Sequence, residues 1–178
     1  MNRLLSRSRY YLASIPTLLR GVKNWPTLLA LFLPLLRRES QPLIELRPGG
    51  LRFKVRSAMD VWIIKETCLD RDYERAGVEL EDGWIILDIG AGLGDFSVHA
   101  AKRHPGSLVF AYEPFPESFA LLQENVKLNG LDSVRMFPNA VGSVASSQMV
   151  LYAVGAAVQH RTAATVGRLR RRQSPSPA

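Results

Sequence analysis

The order of apolar runs predicts an α/β fold on a parallel sheet, entered through a helical leader and a β-hairpin. Three short apolar runs, Trp84–Ile89, Leu108–Tyr112 and Val134–Phe137, alternate with two stretches of helical spacing. The first run is short and apolar but for Asp88, as in a strand covered on both faces. Helices between successive strands, joined by short links, give parallel pairing with right-handed crossovers.

The elements follow in order. Leu43–Leu46 and Leu51–Val55 flank Pro48-Gly49-Gly50 and read as a hairpin, with Leu51, Phe53 and Val55 alternating with Arg52, Lys54 and Arg56. Asp60 is placed as the N-cap of a helix over Val61–Asp70, whose Val61, Ile64, Cys68 and Leu69 fall near one face. After the strand at 84–89, residues 96–103 are helical and stop at His104-Pro105-Gly106. Glu113 ends the second strand, and a helix over Ser118–Leu128 turns Phe119, Leu122 and Val126 inward until Asn129-Gly130 ends it. Gln148–Val154 has the makings of one more strand.

At 178 residues, with 47% hydrophobic and 22% charged side chains, the chain is long enough for one domain with extensions. The sole cysteine, Cys68, excludes an intrachain disulfide, fits a reducing, cytoplasmic compartment, and is most simply a small buried apolar residue. The net charge of +7 belongs to the ends: residues 1–40 carry +6, residues 151–178 carry +5, and the middle is −4. Basic character confined to the termini does not argue for nucleic acid, and no nucleic-acid partner is expected. The expected divisions are a basic apolar leader over 1–42, the α/β domain over 43–155 and a basic, disordered tail over 156–178.

The chemistry lies at Asp88-x-Gly90-x-Gly92-x-Gly94, between a strand and a helix. Glycines there permit positive φ and let a ligand approach the backbone, and the helix behind offers free N–H groups. Glu113, 19 residues after Gly94 at the next strand end, can accept from both hydroxyls of a ribose. A dinucleotide fingerprint is G-x-G-x-x-G; here the third glycine comes one position early and Asp95 follows, a charge unsuited to pyrophosphate. Asp88 suits a ligand with a cationic end. S-adenosylmethionine has an ammonium, a sulfonium and no phosphate, and is the expected cofactor.

Residues 85–103, 109–130 and 137–143 resemble the FkbM-type S-adenosylmethionine-dependent methyltransferases, and the segment around Asp60 resembles that family's entry region. The resemblance covers roughly residues 43–145. It implies a Rossmann-like methyltransferase fold, with Gly90, Gly92 and Gly94 lining the methionine part, Asp88 beside the loop and Glu113 holding the ribose. It further implies that Phe115 covers the adenine and that Asn139 and Ala140 border its edge. The family's later segment of the type K-I-D-x-E-G has no counterpart, and no Asp or Glu follows Asp132. The chain is therefore expected to hold the N-terminal half of the sheet, with an open edge on its first strand and marginal stability or a partner chain.

The expected function is methyl transfer to a hydroxyl of a small molecule or sugar, the acceptor atom being implied by the resemblance alone. Two alternatives stay open: a non-catalytic fragment that binds a membrane surface or a partner, and a dinucleotide-dependent oxidoreductase. His99, His104 and His160 are each most simply explained without chemistry, so no catalytic base is named, and no metal-ligand spacing appears. Leu28–Leu36 lies in 13 uncharged residues, interrupted by Pro26 and Pro34 and too short to span a bilayer. Two readings of residues 1–40 remain: helices packed on the domain, or an interfacial segment on an anionic membrane.

Overall fold

The computed structural model describes residues 14–33, 41–75, 77 and 79–142, together with the backbone of 150–153 and 160–163. Two units divide it, Met1–Val141 and Gly142–Ala178.

The first unit opens with α1, described over residues 14–21, and α2, Trp25–Phe32. Leu18, Val22, Leu28 and Leu31 are buried in the same core as the sheet residues, so the leader and the domain share one interior. A Cβ on Gly21 would collide with Leu69, which shows how closely the leader is seated. β1 (Leu43–Glu45) and β2 (Arg52–Lys54) form the expected antiparallel hairpin.

Both outer edges of that hairpin are covered. Along β1, Lys23 N–H donates to Glu45 O at 2.7 Å, and the Asn24 amide donates to Leu43 O at 2.7 Å and accepts from Glu45 N–H at 2.9 Å. Along β2, the Asn125 amide accepts from Lys54 N–H at 2.7 Å and donates to Lys54 O at 3.2 Å. Asn129 does the same to Arg52, at 3.0 and 2.7 Å. Two side-chain amides thus stand in for a neighbouring strand and satisfy an edge that would otherwise be open.

Asp60 is not the N-cap of α3 (Ala58–Ile64). Ser57 is, its hydroxyl accepting from Asp60 N–H at 3.4 Å. Asp60 sits in the first turn, fully buried, and accepts from Arg56 N–H at 2.7 Å and from the Arg56 guanidinium. The expected single helix is also split, because Lys65–Asp70 is a π-helical turn. Arg71, at φ 58°, closes it, and the short α4 (Asp72–Arg75) follows.

β3 (Ile85–Ile89), β4 (Leu108–Tyr112) and β5 (Val134–Phe137) form a parallel sheet in the order β3-β4-β5. Ile89 pairs with Tyr112 and Tyr112 with Phe137, which aligns the carboxyl ends. α5 (Asp95–Arg103) and α6 (Pro116–Leu128) connect the strands. Ile86, Val109, Ala111 and Val134 are buried on one face. The other face corrects the expectation for the first strand: Ile85, Leu87 and Ile89 are 73%, 62% and 62% exposed. Among the described residues no element covers that side, and β3 pairs with β4 alone, leaving its outer edge open as expected.

In the second unit, β6 (Val150–Ala153) pairs antiparallel with β7 (His160–Ala163). The strand expected near 148–154 therefore belongs to a separate hairpin, and β7 lies within the stretch expected to be a tail. Residues 164–178 lie outside the described residues. No helix among the described residues is long and apolar enough to cross a membrane.

Candidate cofactor site

The glycine turn follows β3 directly. Gly90, Gly92 and Gly94 all have positive φ, at 82°, 55° and 88°. The turn is tied to the next strand: the N–H groups of Gly90 and Ala91 both donate to Tyr112 O, at 2.8 and 3.0 Å. Its three glycines differ in what a side chain would meet. A Cβ on Gly90 would meet nothing within 4 Å, and one on Gly92 only the Gly90 carbonyl at 4.0 Å. A Cβ on Gly94 would lie 2.6 Å from Leu122 Cδ1 on α6. Gly90 and Gly92 therefore leave open space at the turn, while Gly94 lets α5 approach α6.

Glu113 joins the turn to β4. Its carboxylate is buried, accepting from Gly92 N–H at 2.8 Å and from Phe115 N–H at 2.8 Å. Glu113 N–H in turn donates to Phe137 O at 3.0 Å, which carries the register across to β5. Phe115 stands half-buried at the N-terminus of α6. Asn139 and Ala140 lie just past β5, at the same end of the sheet; among the described residues neither hydrogen-bonds to the turn or to Glu113.

Asp88, on β3 before the turn, accepts from the Ser97 hydroxyl at 2.6 Å. Burial raises its pKa and the Ser97 contact opposes that shift. Asp95 is oriented differently from the sequence expectation. Its carboxylate is buried and accepts from the Thr67 hydroxyl at 2.5 Å, instead of facing a ligand at the turn. Burial pushes its pKa up to about 6. Asp95 therefore would not repel a pyrophosphate at the turn, and the glycine spacing alone disfavours a dinucleotide.

Thr67 and Tyr73, beside the turn, have no sequence signal, whereas Cys68 and His99 read from the sequence as packing residues. Thr67 and Cys68 face Asp95 from the π-helical turn, Cys68 Sγ lying 3.8 Å from Asp95 O. Burial raises the Cys68 pKa well above that of a free thiol, in keeping with a packing role. Tyr73 is exposed, with its ring 4.9 Å from that of Phe96 in the first turn of α5. Partial burial and the charges of Asp95 and Asp88 raise its pKa, so its hydroxyl lies within the field of the site's carboxylates. His99 is buried, 3.2 Å from Glu74 through Nε2, and its pKa falls to about 4. Burial is the main cause, followed by the positive charges of Arg103 and Arg71 and by His104. His99 is therefore neutral near pH 7 and packs the helix, as its position suggested.

An open glycine turn, a strand-end carboxylate clamped to it and an acid on the preceding strand define an α/β domain built for a nucleoside cofactor. The groups present fit S-adenosylmethionine: space beside Gly90 and Gly92, Asp88 for a cationic end and Glu113 for ribose hydroxyls. Residues 46–156 match the model of the TRM5/TYW2 methyltransferase domain. The chain belongs to this family of methyltransferases, and its cofactor is S-adenosylmethionine.

The FkbM resemblance also holds. Over 82 residues the chain is 44% identical to the 31-O-demethyl-FK506 methyltransferase FkbM of Streptomyces tacrolimicus, covering 46% of this chain and 32% of that protein. It is 34% identical over 94 residues to the tRNA (guanine(37)-N(1))-methyltransferase of Danio rerio, covering 53% of this chain and 18% of that protein. Among solved structures, TYW2 of M. jannaschii in complex with AdoMet is 28% identical with a TM-score of 0.44, covering 56% of this chain and 43% of that one. The chain thus spans less than half the length of each of these proteins.

Proposed function

We propose that this chain binds S-adenosylmethionine between the glycine turn and Glu113 and supports methyl transfer to a hydroxyl of a small molecule or sugar. The observation that carries the reading is the Glu113 clamp: one carboxylate accepts from Gly92 N–H in the turn and from Phe115 N–H at the start of α6. Gly90 and Gly92 border the methionine part, Asp88 faces the cationic end, and Glu113 accepts from the ribose hydroxyls. Gly94 serves the same site indirectly, by bringing α5 against α6. Phe115 flanks the adenine, with Asn139 and Ala140 at its edge. Bound cofactor supplies an electrophilic methyl group. The chain's own task is to hold and orient it for in-line attack, where alignment contributes most of the rate.

The hydroxyl acceptor rests on the likeness to FkbM. A second reading, a tRNA acceptor, is favoured by the matched domain family and by relatives such as the Danio rerio enzyme. The expectation of no nucleic-acid partner rested on charge distribution alone, and that does not exclude it.

Calorimetric titration with S-adenosylhomocysteine tests the cofactor site. Binding to the purified chain that Gly92→Val abolishes is the expected result. No binding by protein that circular dichroism shows to be folded would overturn the assignment. Incubation with labelled methyl donor and either sugar-bearing small molecules or tRNA transcripts then separates the two acceptors.

A further inference from the structure

α1, α2 and α3 enclose an open groove of about 620 Å³ whose lining is entirely apolar. Its rim is formed by Ile15, Leu19, Trp25, Leu29, Phe32 and Met59, each 42% to 52% exposed. Leu18, Leu28 and Trp62 form its floor and belong to the core beneath. The groove is therefore an open apolar extension of the core, with exposed side chains around a buried base. Single exposed apolar side chains are ordinary, but six around one groove mark an interaction surface.

The charge around it selects the partner. Residues 1–40 carry seven basic side chains and one acid, Glu39, and Arg20 lies exposed beside Leu19. Lys23 is held to Glu45 at 3.0 Å. Trp25 stands at the rim, and tryptophan favours the boundary between headgroups and acyl chains. α2 has eight residues, about 12 Å long at 1.5 Å per residue, which suits a helix lying in the interface plane. We propose that the α1–α2–α3 groove docks this protein onto an anionic lipid surface, its apolar rim entering the acyl boundary and Arg20 beside it meeting the headgroups.

The test is flotation of the full chain with phosphatidylcholine vesicles, with and without phosphatidylglycerol, alongside light scattering for oligomeric state. The expected result is at least roughly tenfold greater binding to the anionic vesicles at low salt, weakened by added salt. Leu19→Glu with Leu29→Glu, at exposed positions, is expected to abolish that binding with the circular dichroism spectrum unchanged. Failure to bind anionic vesicles overturns the proposal. So does unchanged binding by the double variant, which would assign it to the arginines of residues 151–178. A vesicle-inert dimer that the double variant dissociates overturns it too, and would give the groove to a second copy.

Discussion

At Glu113 the two carboxylate oxygens accept from backbone groups on two elements, Gly92 in the turn and Phe115 at the start of α6. Glu113→Ala leaves both N–H groups without that partner and is expected to cost about 2–3 kcal/mol in urea denaturation, besides removing cofactor binding in calorimetry. Asp95 and His99 oppose one another in acid. Asp95, with its pKa raised from 3.8 to about 6, keeps a proton in the folded protein that the unfolded chain releases. Its contribution is full below pH 4 and declines as pH rises to 6. His99, lowered from 6.5 to about 4, takes a proton first in the unfolded chain, so its contribution is lost as pH falls from 6.5 to 4. Each amounts to roughly 3 kcal/mol, and the two largely cancel. Asp95→Asn is expected to make the protein lose stability steeply on acidification from pH 6.5 to 4, whereas His99→Gln is expected to make it gain; thermal melts across that range measure both.

The glycine turn is the element most fully legible in the sequence, because positive φ at a strand-to-helix junction admits few residue types. It did not reveal that the three glycines have different tasks. Gly94→Ala would place a methyl against Leu122, which is fully buried, at a φ of 88°, and is expected to lower stability by about 2–3 kcal/mol. Gly92→Ala meets open space and is expected to cost only about 1 kcal/mol, from its left-handed backbone. Chemical denaturation of the two variants separates packing from conformation. Helix boundaries were legible to within a few residues: the helix expected over Ser118–Leu128 runs Pro116–Leu128 and ends at Asn129-Gly130. The π-helical turn was not legible. Its register aims Thr67 at Asp95, 28 residues away, and no local pattern encodes that pairing. Asp60 was misplaced for a related reason: Ser57 competes for the cap, and a distant need for Arg56 at Ser118 fixes the carboxylate instead.

For the whole molecule, the parallel pairing of the strands followed from the alternation of apolar runs, whereas the open edge of β3 was expected from the missing later segment of the family that the chain resembles. Burial of its second face did not follow. The composition of β3 is that of a covered strand, but whether a cover is present depends on elements outside the run. A bare face beside an unpaired edge is a template for association. Ile85→Lys, at the most exposed of those positions, is expected to reduce light scattering on storage while shifting Tm by no more than a few degrees.

The asparagines that close β2 carry a consequence for time. Asn125 and Asn129 lie 71 and 77 positions after the strand residues they satisfy. At a synthesis rate of about 5–20 residues per second, that separation is roughly 4–15 seconds. For that interval β2 waits on a nascent chain with its outer hydrogen-bonding groups open, and it becomes inert only when α6 arrives. A slowly translated stretch between Lys54 and Asn125 would lengthen the wait.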